Sequence, residues 1–377
     1  MKKRMSLILL LFPIVVILTG GISMLTIGRK ATIQTDIHLK GVPSDIEEAL
    51  YYGSFAANSH NIQSWKVTVK PNQGELTVSL DKKRSLDVVD PKNRELYISL
   101  GCYIQSLKTA FEAYGYKVDL RQTSPSASNH YQAIISNYQK GDHEKNDQQQ
   151  VDLIKKRHTD KRKYLARKLD KDFISQATKR YKNLHYYPRS SQKFTYLKEG
   201  SIRAVKKQSE SSDFLKEQSD WLRFSNQETE KKKDGISGDV LGLNPLLKSL
   251  YFMTTNHQNA TNQGFAKQSL STLKKQVNNC AGFFVMTGKQ TIEDWIATGR
   301  QVQAFWYDCT KKGIAIQPIS AMIEVSDYNK NLEKDLQVDE PVQMILRAGY
   351  IESYGENSGV RRDLKDYIRV EEDWNTL

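Results

Sequence analysis

Two short stretches concentrate side chains that could handle a polar, anionic ligand. The first is Ala57-Asn58-Ser59-His60-Asn61-Ile62-Gln63-Ser64-Trp65. Asn58, Ser59, Asn61 and Gln63 carry amides and a hydroxyl on short stems, which hydrogen-bond a planar polar ligand better than they fill a core. The same residue types also serve as a helix C-cap and turn. The second is Arg157-His158-Thr159-Asp160-Lys161-Arg162. A phosphate needs donors converging on its oxygens, and the guanidinium fork suits it best. A basic helix end or a nucleic-acid patch is the other reading of such a run. Nucleic acid lacks its second half, because Tyr164 is the only aromatic nearby and no RNA- or DNA-binding motif adjoins.

The elements that must position these residues follow from periodicity. Apolar residues at Ile46, Leu50, Tyr51 and Phe55 predict a helix running into the first stretch, with Ser44 and Glu47 as a capping box. Ser64 to Lys70 and Leu76 to Leu80 alternate about Pro71-Asn72-Gln73-Gly74, a hairpin signal. A long helix is predicted over 93–114, ended by Gly115, then strands over 116–120 and 131–136. A second helix starting at Val151 runs into the basic stretch, and 165–226 is helical in tendency. Asp234 to Gly238 reads as a loop. Ala281 to Met286 is a buried strand, Thr291 to Lys311 a helix ended by Gly313, and Ile314 to Ile316 another strand. Helices and strands mix without regular alternation, so the class is α+β.

With 377 residues, 38% hydrophobic and 10% aromatic, the chain is a folded body with room for two domain-sized units. The net charge of +13 points to an anionic partner, although the basic residues are spread among acids as on a solvated face. Cys102, Cys280 and Cys309 are too few for a disulfide framework or a zinc site. Buried small hydrophobes are their default reading, with a Cys280–Cys309 bridge open in an oxidising compartment. After Met1-Lys2-Lys3-Arg4, no charge interrupts the 24 residues from Met5 to Gly28. At about 1.5 Å per residue that run spans a bilayer core of about 30 Å. Residues 1–30 are therefore expected to be a signal anchor or a cleaved signal peptide, the anchor preferred. The early cations place the body outside a bacterial membrane as a single-pass protein. Residues 31–42 read as a spacer.

The first stretch resembles the P-S-x-x-N-x-Q-P-W signature of the nitroreductase family, with Ala57 and Ser64 at the proline positions and Asn58 at the serine. The second is similar to the R-R-T-D-R-R-P-[FY] form of the Acg-type branch, in which two nitroreductase-like halves are fused in one chain. Further segments match in order: Arg94 to Gly101, Trp221 to Ser225 with Asp234-Gly235-Ile236, Trp295 to Ile314, and Arg347 to Tyr350 with Arg361 to Leu364. His158 and Lys161 stand for Arg, and Asp363 for Pro.

The resemblance implies a nitroreductase-like fold of two pseudo-symmetric halves, 43–148 and 149–377, acting as a monomeric pseudo-dimer. It implies FMN bound between them, with Asn58, Ser59, Asn61 and Gln63 toward the ring or ribityl side. Arg157, His158, Thr159 and Lys161 would hold the phosphate, and Arg361 and Arg362 would close on it. Gln317, Pro318 and Ile319 would lie near the reactive edge. The flavin carries the chemistry, so no residue is assigned as catalytic and no metal is expected. The implied activity passes electrons from a reduced donor such as NAD(P)H through FMN to a quinone, a nitro compound or a similar acceptor. That donor is scarce outside a cell, which keeps two alternatives open: a flavin-binding protein with little turnover, or a degenerate scaffold binding anionic wall polymer.

Overall fold

The computed structural model describes residues 24–122, 134–140 and 147–371. Helix α1 (Ser44–Gly53) leads into the polar loop 54–64. Strands β1 (Trp65–Lys70) and β2 (Glu75–Leu80) form the expected hairpin, closed at Gly74 with φ 60°. Helix α2 (Arg94–Ala113) is followed by β3 (Tyr116–Gln122) and β4 (Ile134–Lys140). Then come α3 (Gln148–Lys156), α4 (Lys171–Arg180), β5 (Leu184–Pro188), α5 (Gln192–Gln208) and α6 (Ser212–Asp220). Helices α7 (Asn226–Lys232), α8 (Pro245–Thr254) and α9 (Gln263–Asn278) precede β6 (Gly282–Thr287). The chain closes with α10 (Ile292–Lys311), β7 (Ile314–Pro318), β8 (Val342–Tyr350) and β9 (Ile368–Val370).

The strands make two sheets, β3-β4-β2-β1-β9 and β5-β6-β8-β7. Among the described strands only β9 runs parallel to its neighbour, and it brings the C-terminal segment back to the first sheet beside β1. The mixed α+β class is as expected.

Between the sheets, α2 and α10 pack on one another through glycines. Each helix has 20 residues, and Gly101 and Gly299 are the eighth residue of each. A Cβ on Gly101 would lie 2.1 Å from the Ile296 carbonyl oxygen, and one on Gly299 would lie 1.9 Å from that of Ile98. The contact is reciprocal: each glycine faces the carbonyl three residues before the other. Larger side chains would force the axes apart, so the two glycines set the spacing of the core.

Three local expectations changed. Pro43, not Ser44, is the N-cap of α1, and no side chain caps it. Glu47 turns instead to the Leu39 amide, 2.6 Å away. The three cysteines are free and buried, so no Cys280–Cys309 bridge forms. Residues 31–42, read as a spacer, lie along the body. The Ala31 amide donates to Asp239, the Asp36 amide to Asp363, and the Thr35 hydroxyl to the Arg361 carbonyl.

The apolar run and the strand expected over 131–136 fall partly outside the described residues: 1–23, 131–133 and 141–146 are not among them. Among the described residues no helix is long and apolar enough to cross a membrane.

Candidate functional site

A cavity of about 420 Å³ lies where the polar loop, α2, α10, the basic stretch and the C-terminal segment meet. Its size is that of a cofactor or small-ligand site. Asn58, Ser59, Asn61, Arg157, His158, Thr159, Lys161, Pro318 and Arg361 all line it. Two stretches about a hundred residues apart and a third near the C-terminus thus meet at one place.

The first polar stretch is a strained loop. His60, Asn61 and Gln63 all have φ between 50° and 54°, a region costly for residues other than glycine. Side chains hold that shape. Asn58 Oδ1 accepts the Gln63 amide, and Asn61 Nδ2 donates to the carbonyls of Gly235 and Val360. Gln63 is fully buried and outside the lining; it donates to the Lys233 carbonyl and accepts the Arg362 amide. Much of the hydrogen-bonding capacity expected to face a ligand is therefore engaged in building the loop.

Loop 234–242 supports this turn from outside. Arg223, buried, donates to Asp234 at 2.6 Å, and the Gly235 amide donates to the Asn61 carbonyl.

The basic stretch contributes cations of two kinds. Asp160 binds Arg162 at 2.6 Å and His158 at 3.3 Å, which holds its carboxyl below the ordinary range although burial opposes ionisation. Among the described residues no carboxylate pairs with Arg157. Its Nε and Nη2 donate to the Phe55 carbonyl, it lies 4.9 Å over the Trp306 ring, and its Nη1 has no partner. Arg361 donates to Ser54, Ala56 and Val360 carbonyls and to Asn61 Oδ1, again without a carboxylate. Burial and the neighbouring Arg157 pull its pKa down to about 9. Lys161 has no ionic or hydrogen-bonding partner for its Nζ among the described residues, and burial lowers its pKa. It is partly exposed and lines the cavity. Two buried guanidiniums and a partly buried ammonium, without counter-ions among the described residues, share one cavity and favour an anion there.

A carboxyl pair completes the lining. Glu95 accepts from Ser59 Oγ at 2.8 Å and Arg94 Nη2 at 3.0 Å, while Glu324 accepts from Gln208 Nε2 at 2.5 Å. Burial, then the Glu95 carboxylate, raises Glu324 well above the ordinary range. Burial works against ionisation of Glu95 too, but Arg94 and the Ser59 and Glu324 donors keep it charged. Of the two carboxyls, Glu324 is therefore the one driven toward the protonated form. His60, whose Nδ1 is 3.1 Å from Ser59 Oγ, is kept neutral by burial, with its pKa lowered to about 4. Cys102, also in the wall, is a thiol pushed up to about 12 by burial.

Three more residues of the sequence reading lie outside the lining with Gln63. Arg362 donates to the carbonyls of Gln63 and Asp366 and packs on Tyr367. Gln317 is bonded to Gln276 and Arg347, and the Ile319 amide donates to the Ile345 carbonyl. Conversely, sequence reasoning missed His60, Glu95, Trp306 and Glu324. Glu95 and Trp306 sit on the inward faces of the two central helices, where a helical pattern marks core, and Glu324 carried no signal at all.

No family model matches this sequence, and no curated protein matches it. Among solved structures the chain is similar to the FMN-dependent nitroreductase NfnB from Mycobacterium smegmatis in complex with NADPH, at 15% identity and TM-score 0.37, over 58% of this chain and 95% of that one. It is also similar to a mutant of the FMN and NADPH-dependent nitroreductase NfnB from Sphigopyxis sp. strain HMH, at 12% identity and TM-score 0.34, over 59% of this chain and 96% of that one. Superpositions this loose carry no weight for what this chain binds.

Proposed function

We propose that this chain is an FMN-binding oxidoreductase of nitroreductase type, its two halves fused, passing electrons from a reduced donor to a quinone, nitro or similar acceptor. The observation that carries the reading is a set of cations with no carboxylate partner among the described residues, the buried Arg157 and Arg361 and the partly buried Lys161, in one ligand-sized cavity. Buried charge without a counter-charge is costly, and the phosphate of FMN would supply one. The reciprocal Gly101–Gly299 contact between helices of equal length supports two related halves.

When bound, FMN supplies a two-electron carrier. Arg157 Nη1 and Lys161 Nζ have donors free for its phosphate, and Arg361 adds charge from behind the polar loop. The unpartnered Trp306 Nε1 offers one more N–H to an acceptor-rich ligand. Glu324 holds a proton on its carboxyl in the same cavity, a local source for an acceptor that gains protons with its electrons. In location we propose an exported body tethered by the apolar run after Arg4.

The test is a visible spectrum of the full-length chain in detergent, desalted after addition of FMN. A yellow protein supports the site, and bleaching by NADPH separates a reductase from a flavin store. A protein that stays colourless overturns the flavin reading and leaves the cationic cavity to another anion.

A further inference from the structure

Helix α8 is turned the wrong way round for a helix on a water-exposed surface. Its charged residue, Lys248, faces the body, where Nζ donates to Asp239 at 2.7 Å and to the Arg29 carbonyl at 2.9 Å. Its apolar residues face out: Leu246, Leu247, Leu250 and Met253 are 52, 51, 42 and 64% exposed. Spacings of three and four put Leu246, Leu250 and Met253 on one side, with Leu247 beside Leu250. Leu25 and Ile27 are exposed as well, so this region holds six of the eight large apolar side chains found exposed among the described residues. Scattered single leucines need no explanation, but a cluster with this polarity does.

The place where the described chain begins says what covers it. Residues 24–27 are helical and fastened to α8: Ser249 Oγ donates to the Met24 carbonyl, and Gly28 lies so close to Pro245 that a Cβ would be 1.8 Å from its carbonyl oxygen. The described chain therefore starts at the edge of the apolar face, preceded in sequence by the uncharged run Met5 to Ser23 and leading on to Arg29 and Lys30. Asn226 and Lys248 both bind the Arg29 carbonyl, which fixes the junction to the body.

We propose that the α8 face, with Leu25 and Ile27, lies in the interface of a lipid bilayer, so that the body rests on the membrane that its N-terminal run enters. The leucines and Met253 sit among the upper acyl chains, and Arg29 and Lys30 lie at headgroup level. The inference rests on the proposed tether and is independent of the flavin. Asp239 links it to the site, since the residue lines the cavity and its carboxylate holds Lys248 of α8.

The test uses the full-length chain with Met253→Cys carrying an environment-sensitive fluorophore. The native cysteines are buried, so the label reports position 253 alone. The protein is reconstituted into phosphatidylcholine–phosphatidylglycerol vesicles, with or without lipid bearing a nitroxide near the glycerol end of its acyl chain. Blue-shifted emission and about a twofold loss of intensity with the nitroxide lipid are expected for a side chain in the interface. Protein that floats with the vesicles yet keeps a water-like, unquenched emission overturns the docking while the tether stands. Quenching by a nitroxide on a second copy of the chain, and not by the lipid, overturns it in favour of self-association. Protein that does not float overturns both tether and docking and leaves the flavin reading untouched.

Discussion

Replacing Arg157 by Met keeps a long apolar stem over Trp306 and removes one buried charge. In the free protein two effects oppose. The two hydrogen bonds to the Phe55 carbonyl are lost, at about 1 kcal/mol each. Against this, a guanidinium 3% exposed and without a carboxylate no longer has to be kept from water, and its repulsion of Arg361 ends. These terms leave the unliganded stability within about 1 kcal/mol of the parent. Binding of a phosphate-bearing ligand has no such compensation. Loss of one partner in a buried charge-assisted contact costs about 3 kcal/mol, or roughly 150-fold in affinity. Titration calorimetry with FMN and with riboflavin, which lacks the phosphate, isolates the term. The parent should prefer FMN strongly, and the variant should lose most of that preference while its denaturant midpoint hardly moves. An unchanged FMN-to-riboflavin ratio would refute the phosphate assignment, and a protein that fails to fold would show that Arg157 is structural.

Three further outcomes are expected. Gly101→Ala puts a methyl group against the Ile296 carbonyl and should cost about 3 kcal/mol in urea unfolding; a loss under about 1 kcal/mol would mean the central helices can part freely. His60 titrates near 6.5 when unfolded and at about 4 when folded, so between these values only the unfolded chain takes up the proton. Stability should thus fall by up to about 3 kcal/mol as pH drops through that window, and His60→Gln should flatten the curve; an equal slope in both proteins would place the titration elsewhere. Glu324→Gln keeps the shape of the carboxyl and removes its proton exchange. Reduction of a quinone should then slow while FMN affinity holds, and an unaltered pH–rate profile would remove Glu324 from the proton path.

The long elements were legible in the sequence because their causes are local. Apolar residues at helical spacing mark α2 and α10, glycines end both, and Pro71 to Gly74 forces a hairpin whatever surrounds it. The association of Asn58, Arg157 and Arg361 was legible through resemblance of motif order, and all three line one cavity.

Residue type could not show which polar groups remain free. Gln63 and Arg157 look equally suited to a ligand, yet Gln63 is consumed by Lys233 and Arg362, whereas Arg157 keeps an N–H unpaired. That difference depends on which carbonyls arrive from distant segments. The same holds for Glu95 and Glu324, ordinary carboxyls in the sequence whose opposite shifts arise only because folding sets them side by side away from water. It holds for α8 as well, whose leucines match a core helix until Asp239 draws Lys248 inward and turns them out. The sequence decided which chain segments could be regular and which side chains could bind an anion. Burial and hydrogen-bond partnership, which are properties of the assembled neighbourhood, decided which of those side chains are left to do so.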